Sequence, residues 1–187
     1  LPGPFFTLTV ATSRDGYISR STDEPPQAWA SAEEQELFFR DVNAADWAIM
    51  GRNTHLAANR PNRHRIIFST RAAGWRRPTQ LWLNPARLDA GDLPRRVGHV
   101  RPMRHGLILG GTRVHDWFLS QRAIHKVHLT IEPVQFGRGL PIFSAQTLRD
   151  PLAVFSDHGF QVISDDVLNR AGTRYIELTA NNGARAI

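Results

Sequence analysis

Residues 48–71 read AIMGRNTHLAANRPNRHRIIFSTR, and within this span one device occurs twice. Ala48-Ile49-Met50 is a short apolar run of the kind that forms a buried strand. It stops at Gly51-Arg52-Asn53-Thr54, where a glycine, a guanidinium and a hydroxyl meet the start of a short helix expected over 53–59. The first N–H groups of a helix have no partner within it and favour an anion. Ile66-Ile67-Phe68, in a strand expected over 65–69, repeats the apolar run and leads into Ser69-Thr70-Arg71, a second seat with two hydroxyls and a guanidinium. The simplest ligand that uses both seats is a dinucleotide. Strand, helix and strand in so short a span predict a sheet covered by helices.

Upstream, residues 5–11 (FFTLTVA) are continuously apolar or β-branched, the pattern of a central strand buried on both faces. Residues 12–27 carry Asp15-Gly16 and Pro25-Pro26 and predict a long ordered loop. In 31–42 (SAEEQELFFRDV) Ser31 is followed three residues on by Glu34, a capping-box start, and Leu37, Phe38 and Phe39 supply an apolar stripe, so a helix is expected. Residues 47–50 form the next strand.

Downstream, 81–83 predict a short strand and 88–97 a broken helical or turn region. Residues 107–109 are again strand-like and end at Gly110-Gly111-Thr112, with Val114, Trp117, Phe118 and Leu119 forming the face of a following helix, a third turn of phosphate-binding type. Residues 124–132 alternate as a half-buried strand does and stop at Pro133. Residues 136–141 read as a loop, and 152–163 with 174–180 as antiparallel strands closing the sheet. One domain is expected over 1–180, with 181–187 a frayed tail.

The chain has 187 residues, 41% of them hydrophobic, enough for a sizeable core, and no cysteine, which excludes disulfides, thiolate catalysis and cysteine-based metal sites. No stretch approaches the roughly 20 apolar residues of a membrane span, and the opening Leu1-Pro2-Gly3-Pro4 lacks a signal-peptide pattern, so a soluble, cytoplasmic protein is expected. The net charge is +6 and Lys126 is the only lysine. Scattered arginines without a block of five or more suit a phosphorylated small molecule better than a specific nucleic-acid site.

Glu34 sits in the first turn of the expected helix near Trp29. Facing inward, it would hold its proton in an apolar wall and serve as a proton donor; otherwise it is an ordinary cap, and Glu33 is the competing acid. No histidine pair has convincing metal-ligand spacing, since His125 and His128 are an odd step apart on a strand, and no metal is expected. His115, one turn past the double glycine, either donates to a ligand held there or lies on the surface. No Gly-x-Ser-x-Gly elbow supports nucleophilic catalysis.

In order along the chain, Val10-Ala11, Asp15-Gly16-Tyr17-Ile18, residues 49–54, Arg60-Pro61, residues 66–71, Gly110-Gly111-Thr112-Arg113-Val114-His115 and residues 126–130 resemble dihydrofolate reductase and its superfamily over nearly the whole chain. Thr130-Ile131-Glu132-Pro133 and residues 136–143 resemble more closely the reductase domain of the riboflavin-pathway deaminase-reductase and its stand-alone relatives. The resemblance implies an α/β fold of three layers, with a mostly parallel central sheet, helices on both faces and an antiparallel C-terminal hairpin. It implies an NADPH-dependent oxidoreductase that commonly pairs as a homodimer.

Carried over, Gly51, Arg52, Asn53 and Thr54 would grip the 2'-phosphate and pyrophosphate, Ser69, Thr70 and Arg71 the adenosine phosphate, and Gly110, Gly111, Thr112, Arg113 and Val114 the pyrophosphate and nicotinamide side. Ala11 and Ile18 would touch the nicotinamide. Glu34 falls where dihydrofolate reductases place their pterin-binding acid, Arg63 near their carboxylate-binding arginine, and Thr130 at the threonine that supports the acid; Trp29 and His115 join the substrate side. Leu109 and Ala58 depart from the riboflavin pattern, where acids stand, and His115 departs from the dihydrofolate pattern, where a tyrosine stands. The implied substrate is a pyrimidine, a pterin or a related imine. The alternatives are a dihydrofolate reductase-type activity and a nucleotide-binding module without catalysis.

Overall fold

The first strand of the chain lies in the interior of the sheet. In the structure, a computed structural model that describes residues 3–71 and 73–181, β1 (Phe5–Thr12) lies between β7 (His105–Ile108) and β8 (Lys126–Ile131) and is parallel to both. Its apolar and β-branched sequence follows from that place, because past the exposed Phe5 both edges are paired and both faces are largely covered. The other strands are β2 (Tyr17–Ser19), β3 (Trp47–Gly51), β4 (Arg65–Phe68), β5 (Gly74–Arg77), β6 (Gln80–Leu83), β9 (Leu140–Pro141), β10 (Phe160–Val167) and β11 (Arg174–Ala180). The main sheet has nine strands in the order β10-β11-β8-β1-β7-β3-β4-β6-β5. The five strands from β8 to β4, with β6, are parallel neighbours, while at the two edges β11 pairs antiparallel with β8, β10 with β11 and β5 with β6.

Among the described residues five α-helices accompany the sheet: α1 (Ala32–Ala44), α2 (Arg52–Ala57), α3 (Leu93–Val97), α4 (Thr112–Ser120) and α5 (Pro151–Asp157). Alternate residues of β3 fall into two separate cores. Trp47 and Ile49 join the large one, with Phe6, Leu8 and Val10 of β1 and buried residues of α3, α4 and α5. Ala48 and Met50 join a small one with Ile67 and Trp82, on the face where His55 of α2 packs edge-on against Trp82. The expected three-layer α/β architecture with its C-terminal antiparallel hairpin is present.

Several elements differ from expectation. Residues 152–163 do not form one strand: 151–157 are α5, started by Asp150, whose side chain accepts from the Leu152 N–H, and ended before Gly159 at φ +84°, after which β10 begins. The loop over 12–27 contains β2, which pairs with β9 from the segment read as loop. β5 is an additional, exposed edge strand. The first-turn reading of α1 holds, but its burial is inverted: Glu34 and Asp41 are its buried residues, while Phe39 is 42% exposed. Two turns apart, those acids share the face that meets the polar side of the sheet, where Thr9 donates to Asp41. The tail expected over 181–187 lies, past Asn181, outside the described residues.

Candidate active site

The ends of the parallel strands position the site. β1 ends at Thr12, β3 at Gly51, β4 at Phe68 and β7 at Ile108, and the chain leaves β3 for one side of the sheet and β7, through α4, for the other. In open α/β sheets such a divergence opens a crevice beyond the carboxyl ends of the strands. Here it is a cleft of about 1750 Å³ that continues between α1 and the start of α2, larger than the roughly 300–1,000 Å³ of an ordinary small-molecule pocket.

Every residue expected to hold the cofactor lines this cleft: Ala11 and Ile18, the run Gly51, Arg52, Asn53 and Thr54, the run Ser69, Thr70 and Arg71, and Gly110, Gly111, Thr112, Arg113 and Val114. The three seats read in sequence are therefore one surface. Neither α2 nor α4 has a side-chain cap at its N-terminus, so the Arg52, Asn53 and Thr54 N–H groups of α2 and the Thr112 and Arg113 N–H groups of α4 stay available to a ligand, while the Val114 N–H donates to Gly111 O. Ser69 accepts from the Arg71 N–H, which leaves its hydroxyl proton free to donate. The Gly51 N–H donates to Gly110 O at 2.7 Å, locking the first glycine turn to the second. Gly110 has φ +92°, and a Cβ there would lie 3.1 Å from His115 Nε2, so no larger residue fits without displacing the ring. Arginines, uncapped helix starts, a close-approach glycine and sufficient volume together fit a phosphorylated dinucleotide.

Glu34 lines the same cleft, 5% exposed. Burial first, and then the charges of Glu132 and Asp41, push its carboxyl up to about 7, with only Gln35, which donates to Glu34 Oε2 at 2.8 Å, acting the other way. The Glu34 N–H donates to Ser31 Oγ, half of a capping box. Its carboxyl does not complete the box, so it is not the cap. Glu33, the competing acid, accepts from Asn169 Nδ2 and is not on the cleft wall.

Among the expected substrate residues, Arg63 and His115 are on the cleft wall and Trp29 and Thr130 are not. Arg63 Nη1 donates to Asn43 Oδ1 at 2.7 Å, bridging α1 to the loop after α2. His115 is 1% exposed, not on the surface; its Nδ1 lies 2.8 Å from Ile142 O, the arrangement of an N–H donor, and burial pushes its pKa down to about 4. It is a neutral ring that holds α4 to the 140–142 segment, aided by Thr112 Oγ1 donating to Pro141 O. Trp29 packs edge-on against Phe136. Thr130 is buried in β8, opposite Ala11 of β1, and makes no hydrogen bond to Glu34; the polar side chain that reaches α1 from this strand's end is Glu132.

Three contributors are missing from the sequence reading. Asp41 accepts from Thr9 and pairs with His128 Nδ1 at 2.7 Å, fixing α1 on the sheet; burial would raise its pKa, but the hydrogen bond and charge of His128 outweigh that and lower it. Its signal was the seven-residue step from Glu34. Arg65, buried in β4, donates to Ala58 O at 2.7 Å and closes the C-terminus of α2; burial and then Arg60 and Arg63 lower its pKa to about 10. Asp15 ties the 12–27 loop to 136–137 by accepting from the Phe136 and Gly137 N–H groups and from Ser13. Among the described residues no group of three metal-ligating side chains gathers, and no helix is long and apolar enough to cross a membrane.

Residues 4–168 match the family model described as the RibD C-terminal domain. No curated protein matches the chain in sequence. Three solved structures illustrate the shared fold. Acinetobacter baumannii RibD (form 1) superposes with a TM-score of 0.72 at 16% identity, covering 96% of this chain and 59% of that one. The Thermotoga maritima diaminohydroxyphosphoribosylaminopyrimidine deaminase/5-amino-6-(5-phosphoribosylamino)uracil reductase gives 0.68 at 16%, covering 96% and 57%. Enterococcus faecalis dihydrofolate reductase, complexed with NADP(H) and RAB-propyl, gives 0.65 at 14%, covering 95% and 97%. The chain thus spans under two thirds of the first two.

Proposed function

The chain belongs to the RibD C-terminal domain family, and on that premise we propose that it is an NADPH-dependent reductase acting on a pyrimidine, a pterin or a related imine. One observation carries the proposal: the anion seats at the ends of β3, β4 and β7 and the buried, readily protonated Glu34 face a single cleft. The cofactor, when bound, supplies hydride to a substrate carbon. The protein's own residues do the rest. Arg52, Asn53 and Thr54 hold the 2'-phosphate and pyrophosphate, Ser69, Thr70 and Arg71 the adenosine phosphate. Ala11 and Ile18 form the nicotinamide's contact surface beside Gly110.

Glu34 delivers the proton that balances the hydride, to the substrate heteroatom next to the reduced carbon, directly or through an oriented water. Its carboxyl is well matched, because a pKa of about 7 leaves it half protonated at neutral pH. Phe38 and Phe39, on the cleft wall beside it, present flat apolar surface to a planar ring. The segment before the glycine turn ends in Leu109 rather than an acid, so recognition of the ring falls to α1.

A second reading, dihydrofolate reductase-type activity, is favoured by the place of Glu34 in the first turn of α1 and by Arg63 on the same wall. The two are separated by following NADPH oxidation with 5-amino-6-(5-phosphoribosylamino)uracil and with dihydrofolate side by side. Turnover of either supports a reductase and chooses the substrate; NADPH bound but not consumed with a broad pyrimidine and pterin panel points to a nucleotide-binding module. We also propose a homodimer, supported by the apolar residues that β10 leaves exposed.

A further inference from the structure

The α1 cap is shared in an unusual way. In a complete capping box the N-cap serine accepts from the N–H three residues on, and the acid at that third position accepts the serine's own N–H. Here Ser31 makes the first bond with Glu34, but its N–H donates to Glu132 Oε1 at 2.9 Å, and its hydroxyl donates to the same oxygen at 2.7 Å. Glu132 stands just past the end of β8 and is 2% exposed. Its other oxygen accepts from Thr173 Oγ1 at 2.9 Å, which also accepts from Asn169 Nδ2, and Asn169 Oδ1 takes the Gly172 and Thr173 N–H groups of the β10–β11 turn. A continuous set of hydrogen bonds therefore runs from the C-terminal hairpin through Glu132 to the first turn of α1.

We propose that Glu132 is a positioning residue for the cleft acid: it fills the half of the α1 cap that Glu34 would otherwise occupy, which leaves the Glu34 carboxyl at the cleft wall to serve the substrate, and as a buried carboxylate it favours the protonated form of that neighbour. Glu132 is not on that wall, so it acts through Glu34. Two features separate this role from plain capping. An amide or a hydroxyl would cap Ser31 equally well, whereas a second buried carboxyl close to Glu34 disfavours the charged form of its neighbour. Also, the charged groups that bear on Glu34 are Glu132 from the end of β8 and Asp41 from α1 itself, and both act to keep its proton on. The inference deepens the proposed function and rests on it only for the purpose Glu34 serves, not for the arrangement.

The test reads Glu34 directly, without turnover. Carbon-13 NMR of the glutamate carboxyls follows the Glu34 midpoint in the cofactor-free protein and in Glu132→Gln, whose amide oxygen still accepts from Ser31. The midpoint is expected to fall by about one unit in the variant, with the Ser31 amide still slow to exchange with solvent. An unchanged midpoint in a folded variant overturns the proposal. Thr173→Val, which keeps the Glu132 charge, is the control: its Glu34 midpoint should stay near that of the unaltered protein, and a fall equal to that of Glu132→Gln would mean that loosening, not Glu132, sets it. Should the glutamine variant not fold, the unaltered protein decides, since a rapidly exchanging Ser31 amide or a Glu34 that titrates in the ordinary glutamate range contradicts the arrangement. If these results hold while no substrate is reduced, the proposed reaction fails and the role of Glu132 stands.

Discussion

Glu34 is a glutamate whose neighbours disfavour its charge, and this has a measurable sign. Its folded pKa of about 7 exceeds the ordinary glutamate value of 4.5, first through burial. Above pH 4.5 the unfolded chain has lost this proton and the folded chain keeps it, so the Glu34 contribution to stability is fully present at low pH and is lost as pH rises to about 7. Glu34→Gln should remove that loss. Relative to the unaltered protein the variant gains stability between pH 4.5 and 7, reaching on the order of 2–3 kcal/mol above pH 7, while reduction slows by about 10²–10³-fold. Denaturant unfolding at pH 5 and pH 8 checks the first part and turnover the second; equal stability differences at both pH values contradict it.

His115 has the opposite sign. Buried without charge, with a folded pKa of about 4, it takes up a proton in the unfolded chain from about pH 6.5 downward, so its contribution falls as pH drops from 6.5 to 4. The sequence showed this residue next to the double glycine but not that its ring is enclosed, because burial there depends on Ile142, 27 residues further on, closing over it. Thr130 illustrates the same limit: the strand position was legible, but which side chain at its end reaches α1 depends on the helix's placement. Glu132 carried a signal that went unread, an acid between a strand and Pro133.

At the scale of elements, the strand ends were legible because each joins an apolar run to a glycine or hydroxyl-rich turn within a few residues, a purely local signal. α5 was not, since the short apolar run Leu152-Ala153-Val154-Phe155 looks like a strand by itself, and only Asp150-Pro151 before it and the polar Ser156-Asp157-His158-Gly159 after it mark a helix. α1 misled differently: periodicity counts Leu37, Phe38 and Phe39 as the inner face, whereas the polar sheet beneath selects Glu34 and Asp41 and leaves the aromatics to the cleft. The glycine turn gives a direct prediction. Gly110→Ala should lower stability by about 2 kcal/mol, a fall in Tm of about 4–8 °C, because φ is +92° and His115 is 3.1 Å from the added carbon. Calorimetry checks it; an unchanged Tm would mean that the turn relaxes freely.

At the scale of the molecule, the two faces of the sheet are unequal. The face under α3, α4 and α5 carries the large core, and the face under α1 and α2 carries the small cluster of Ala48, Met50, Ile67 and Trp82, beside polar groups such as Thr9, Asp41 and His128 and the open cleft. A ligand in the cleft would complete that smaller layer, so NADPH should raise the Tm by mass action. At the far edge, Val162, Ile163 and Val167 of β10 are 51%, 58% and 69% exposed. Should the proposed homodimer form there, Val162→Glu with Ile163→Lys yields a monomer by sedimentation equilibrium, without loss of cofactor binding. A chain already monomeric before substitution removes that assembly.

The proposed cofactor grip depends on Arg52 and Arg71, which line the cleft at the ends of β3 and β4. Titration of nicotinamide fluorescence with NADPH and with NADH measures it most directly. NADPH should bind more tightly, and Arg52→Ala and Arg71→Ala should each weaken it by about 10–100-fold, with a smaller effect on NADH from whichever arginine meets the 2'-phosphate. No fluorescence change and no thermal stabilisation at millimolar NADPH would contradict the central claim.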